Sequence, residues 1–422
     1  MKIRFKERFQ FHSSTTALRS NPSRFAQALL TSKTKKPRQI AALLVLAAGF
    51  ASSSAVGESR PTVGMKVVTP DENTNARAYW TPERRAKAKP MKLAIADRSQ
   101  GTGVANTPIS RGPQVFVEGK GPEVDLVPDY SGPAVSASDR AARTETQVQS
   151  EFSYVYPFST YYNADYSKFP GITMGRLAFT LDGVDYFCTA SVIRPHTLVT
   201  ARQCIYDVST NTWATNIIFY PGYNNGRIDT AIGGGVWSTV FAEAFVNQGW
   251  NYDLGLIALH DENGTGCAGD SGTSPIEHYT GYLGYTYNGD YSQRQWAVFG
   301  YPGVTNPQNG NPFNGKWPIR SDAATGHVND DIGGDFLNTV EIGSDQTPGA
   351  NGGPWIIGYN PSGKQTVTFG SNNTVGTHGA GNYANSVTSF TFADHPLAIN
   401  GPEFDDYNFF SLLTFYNNLS CN

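Results

Sequence analysis

From residue 152 onward the chain is written in short apolar runs: MGRLAFTL (174–181), FCTASVI (187–193), TLVTA (197–201), NIIFYPG (216–222), LGLIAL (254–259), WAVFGY (296–301) and GPWIIGY (353–359). These runs favour β-branched and aromatic residues, and Gly, Asn and Asp separate them, the types that tolerate tight-turn backbone. The pattern predicts many short strands, hence an all-β barrel or sandwich. The tail departs from it. In DYNFFSLLTFYNNLS (406–420), Phe409, Leu412, Leu413 and Tyr416 share one helical stripe, with Asp405 or Asp406 placed to cap it.

Upstream the writing changes. Pro and charge clusters (TPERRAKAKP, 81–90) and small polar runs (SGPAVSASDRAARTETQVQS, 131–150) show poor hydrophobic periodicity. Such a stretch is expected to be a linker or pro-segment, mostly disordered in isolation. It would serve either as an activation peptide or as a secretion spacer. Further upstream, Lys33, Lys35, Lys36 and Arg38 precede the apolar run 40–50, and small residues follow to Ala55. That order is a basic region, an apolar region and a cleavage site, and the run is shorter than the roughly 20 residues that span a bilayer. The expected layout is a signal peptide with a long n-region (1–55), a pro-segment or linker (56–151) and a folded domain (152–422). An uncleaved anchor is the alternative for the first. The protein is expected to be secreted or periplasmic, with no stable membrane span, and a monomer.

Composition narrows the function classes. A net charge of -3 provides no pull toward nucleic acid. Of the four cysteines, Cys188, Cys204, Cys267 and Cys421, none has CxxC spacing, and no Cys/His cluster has zinc-like spacing, so no metal or cofactor is expected. An even count in an exported chain suggests two disulfides, with three pairings open.

Three segments carry the chemistry: FCTASVIRPHTLVTARQC (187–204), NYDLGLIAL (251–259) and SDQTPGANGGPWII (344–357). In that order, over 152–422, they resemble the trypsin/chymotrypsin-fold serine peptidases, in particular the glutamyl-endopeptidase-like branch. The resemblance implies a two-barrel chymotrypsin-like fold. It implies a Cys188–Cys204 disulfide beside the catalytic base; closing a loop of about 17 residues contributes on the order of 3 kcal/mol. Cys267 and Cys421 remain to pair with each other or stay free. Asp253 matches the residue that orients the base, and the backbone N–H groups of Gly349 and Asn351 match the oxyanion hole.

Two catalytic side chains are replaced. Gln203 stands where the resemblance puts the histidine, with Arg202 in place of the preceding glycine, and Asn351 stands at the nucleophilic serine. A glutamine cannot take a proton as a general base, and an asparagine amide is a very poor nucleophile. Of the seven histidines, His196 falls at the far end of a hairpin from Gln203, roughly 20 Å away at about 3.3 Å per residue. His260 is displaced from Asp253 in the same way. Asp345, Gln346 and His378 are the specificity-pocket candidates, since Gly376, Thr377 and His378 match the G-x-H that contacts an acidic substrate in this branch. The expected function is a proteolytically inactive homologue that binds a peptide or protein in the retained cleft, where Asp253, Gln203 and Asn351 lie together. The alternatives are an active serine endopeptidase with a relocated triad, and an adhesive surface protein built on Tyr- and Gly-rich faces.

Overall fold

The computed structural model describes residues 62–101, 111–131, 148–149, 156–162, 166–247, 249–264, 273–290, 294–324, 326–361, 367–368, 377–378 and 381–417. The segment expected to be a signal peptide (1–55), Cys267 and Cys421 lie outside them.

Six strands close into a barrel. In ladder order they are Trp237–Phe245, Thr215–Pro221, Met174–Leu181, Val184–Arg194, Thr197–Thr200 and Gly255–Leu259, and the last pairs back onto the first. Alternate residues fill the interior: Leu177 and Phe179, Cys188, Ala190 and Val192, Ile217 and Phe219, Ala242 and Ala244, Ile257 and Leu259. The opposite faces are buried too. Ala178, Phe187, Ile218 and Tyr220 join a cluster with Ala76 and Trp80, while Ile193, Val199, Phe245 and Leu256 join one with Phe409, Leu412 and Leu413. Burial on both faces explains why these strands read as near-continuous apolar runs rather than as alternation.

The second half is built from two sheets. One runs Val115–Val117, Gly284–Tyr287, Tyr383–Val387, Pro354–Ile357, Trp296–Gly300, Ile319–Ala323, Phe158–Tyr162 and Val148–Gln149; the other runs Gly326–Val328, Thr339–Gly343, Ala398–Pro402, Phe390–Phe392 and Ala94–Ala96. The chain ends its described part in a helix, Phe409–Asn417, with Phe409, Leu412 and Leu413 buried. Asp405 Oδ1 accepts the N–H groups of Tyr407 and Asn408, both at 2.8 Å, and so turns the chain into that helix. The mostly β architecture with a closed barrel and a C-terminal helix is the one expected; among the described residues one barrel closes, and the second half is laid out as two sheets.

The described parts of 56–151 do not float free of this body. Val63–Val67 pairs with Trp237–Phe245, and the helix Pro70–Tyr79 starts at a capping box in which Thr69 and Glu72 satisfy each other's backbone N–H. Lys89–Pro90, Ala94–Ala96, Val115–Val117 and Val148–Gln149 each pair with a strand of the body, never with one another. Poor internal periodicity and good order are compatible here, because the order is imposed by the surface on which the segment lies.

Candidate active-site cleft

The Cys188–Cys204 disulfide is formed. It joins the Val184–Arg194 strand to the short turn Arg202–Cys204, and so holds Gln203 at the end of the Thr197–Thr200 strand. Asp253 follows the turn Trp250–Tyr252 and is fully buried. Its carboxylate is crowded with donors. Gln203 donates its backbone N–H to Oδ1 at 3.0 Å and its amide Nε2 to Oδ2 at 2.7 Å; Ser389 donates its hydroxyl to Oδ2 at 2.5 Å. The Arg202 guanidinium lies 3.7 Å from Oδ1. Burial pulls the Arg202 pKa down, and Asp253 opposes that shift. The second proton of the Gln203 amide goes to the Ser389 carbonyl at 2.7 Å. Gln203 is thus a satisfied structural amide locked between two acceptors. No described histidine is among the partners of Asp253.

Asn351 is buried on the facing loop. Its carbonyl accepts from the Thr189 N–H at 2.9 Å, which ties the loop to the disulfide-bearing strand. The glycines around it are obligatory. A Cβ on Gly352 would lie 2.1 Å from Thr200 Oγ1, and one on Gly353 would lie 1.9 Å from the Phe299 carbonyl oxygen. Gly349 has φ +98, and a Cβ there would press on Phe187 and the Tyr301 carbonyl at 2.6 Å. The Asn351 side chain bonds neither Gln203 nor Asp253. Its Oδ1 takes the Gly349 N–H at 3.3 Å, and its Nδ2 donates to the carbonyl of Lys92 at 3.0 Å. The Gly349 N–H also donates to the carbonyl of Met91, which is nearer, at 2.9 Å.

The pocket candidates divide. Asp345 is buried and accepts from Thr160 Oγ1 at 2.7 Å, from Asn309 Nδ2 at 2.9 Å and from Asn311 Nδ2. Burial raises its pKa, against the pull of those donors. All its polar capacity is spent inside the protein, so it is an anchor for the 306–311 loop rather than an open pocket floor. Gln346 is buried as well and donates to the Val298 carbonyl at 3.0 Å. Thr377–His378 pairs with Val367–Thr368; the His378 side chain lies outside what the structure describes. His196 sits 3.6 Å from both Asp261 and Glu277, away from these groups, as its hairpin position implied. Ser389, Met91 and Lys92 were missed in the sequence. Nothing around TSFTF marks Ser389, whereas the alternation in MKLAIA was a visible strand signal.

No model of a protein family matches the chain. Over 122 residues, 28% of its length, the chain is 33% identical to the glutamyl endopeptidase of Bacillus licheniformis. The likeness to that glutamyl endopeptidase is confined to this stretch. The matched stretch spans 33% of that curated relative. Solved structures similar to the chain include the protease Anisep from Arthrobacter nicotinovorans, with 23% identity, 60% of this chain and 96% of that chain covered, and a TM-score of 0.42. A thermostable serine protease AL20 from an extremophilic microorganism shows 22% identity over 59% of this chain and 97% of that one, with a TM-score of 0.41. Among the described residues, no helix is long and apolar enough to cross a membrane.

Proposed function

We propose that this protein is a secreted, proteolytically inactive serine-peptidase relative, with residues 152–422 as its peptidase-like domain, 56–151 as a pro-segment, and a cleft that binds a peptide. The observation that carries the reading is Gln203: both protons of its amide are engaged, on Asp253 and on the Ser389 carbonyl, at the position where acyl transfer needs a proton acceptor. Asn351 supplies an amide where the reaction needs a nucleophile. In a subtilisin triad, loss of either member costs roughly a millionfold in rate. The Gly349 N–H is a backbone donor that already holds a carbonyl, that of Met91 at 2.9 Å, which supports a cleft that keeps its affinity for a peptide carbonyl while losing chemistry. A relocated base finds no support, because the described histidines near carboxylates partner Asp261 and Glu277, Glu123, Asp331 and Glu341 rather than Asp253.

The test is hydrolysis of a mixed peptide library by the purified chain, run beside Asn351→Ala. Neither protein is expected to cleave above background. Cleavage that disappears in the variant would overturn the reading.

A further inference from the structure

The cleft already holds a peptide, and it belongs to the same chain. Lys89 and Pro90 pair in parallel with Tyr186 and Phe187 at one rim, where the Met91 N–H also donates to the Phe187 carbonyl at 2.9 Å. At the centre, the carbonyls of Met91 and Lys92 take the Gly349 N–H and the Asn351 amide, at 2.9 and 3.0 Å. Leu93 leaves the backbone there and joins the apolar cluster of Val298, Val340, Ile342 and Ile399. At the other rim Ala94–Ala96 adds in parallel to Phe390–Phe392, and Ala96 is buried in a cluster with Phe336 and Phe390. Arg98 closes the run. Its Nη2 donates to Glu341 Oε2 at 2.6 Å, its Nε lies 3.5 Å from Asp394, and its guanidinium lies 4.3 Å from the centre of the Phe392 ring.

Main-chain bonds of this kind give affinity without regard to side chains, and pockets for alternate residues give selectivity. Three side chains of the segment are selected: Leu93, Ala96 and Arg98. Lys92 and Ile95 between them face solvent. We infer that the cleft is a receptor for an extended L-x-x-A-x-R peptide laid parallel to both rims, and that residues 89–98 are its resident occupant, so an external peptide of this class enters only when they are displaced. The inference rests on the peptide-binding part of the proposed function.

The test uses the full chain and a fluorescein-labelled synthetic peptide of residues 88–101. The unaltered chain is expected to bind it weakly or not at all. A chain carrying Leu93→Asp and Arg98→Ala is expected to bind at least about tenfold more tightly, since the lost latch was a charge-assisted bond, and to refuse the same peptide carrying L93D. Equal binding by both chains would overturn the inference, as would no binding by a variant that unfolds at the wild-type temperature. Hydrogen exchange on the unaltered chain removes dependence on the variant's folding. The Met91 amide is expected to be protected, and R98A is expected to lower that protection on the order of tenfold while Phe219 in the barrel is unchanged. An unprotected Met91 would overturn the inference. Hydrolysis of the labelled peptide would sink the proposed inactivity and leave the occupancy standing.

Discussion

At the scale of single residues, Asp253 is a buried carboxylate surrounded by donors. Its carboxylate holds two donors from Gln203 and one from Ser389, with the Arg202 guanidinium alongside. Removing it strands those donors and leaves a buried cation without its nearest counter-charge. Asp253→Ala is therefore expected to cost about 3–5 kcal/mol of stability, seen as a lower urea midpoint, with peptide hydrolysis unchanged at background. An active triad would give the opposite balance, with a large loss of rate. Gln203 and Asp253 were legible because each lies inside a motif whose spacing survives. The true role of Asp345 was not. Its partners Thr160, Asn309 and Asn311 lie 185, 36 and 34 residues away, and no local pattern announces such distant donors.

At the scale of elements, periodicity was a good guide where one face decides burial and a poor one where both faces do. The C-terminal helix shows its stripe because Phe410 and Tyr407 stay exposed opposite Phe409, Leu412 and Leu413. Its nine residues fall below the roughly 12–15 that an isolated helix needs in water, so packing against the strands supplies its stability. Leu412→Ala is expected to cost about 2–5 kcal/mol, measured by thermal unfolding, and to raise hydrogen exchange across the helix before the barrel opens. The helix at 70–79 carried an overlooked signal, the T-x-x-E of Thr69 and Glu72. The charged residues around it disguised a segment whose apolar partners, Ala76 and Trp80, are few but well buried.

At the scale of the whole molecule, two buried acids contribute to the response to pH. Glu243 lies between its paired neighbours Met65 and Leu256, with neither carboxyl oxygen hydrogen-bonded among the described residues. Burial pushes its pKa up to about 9. Burial also pushes Glu403 up to about 8, against the pull of Arg111. Both values lie above the 4.5 of a free glutamate, so the native state keeps protons that the unfolded chain has released. The stability these groups contribute is full below about pH 4.5, falls as pH rises through 8 and 9, and levels off above. Thermal unfolding is expected at a higher temperature at pH 5 than at pH 8.5. Glu243→Gln should narrow that gap by raising the alkaline value; an unchanged gap would refute the assignment.

The occupied cleft has a kinetic consequence. A ligand carried on its own receptor acts at an effective concentration, roughly millimolar for a short connection. Dilution does not empty such a site, and a sparse pool of free peptides does not fill it. Only scission of the chain on both sides of the segment would turn its docking from a first-order event into a second-order one. The cleft would then answer to how much peptide surrounds it, where before it answered only to whether the backbone was intact.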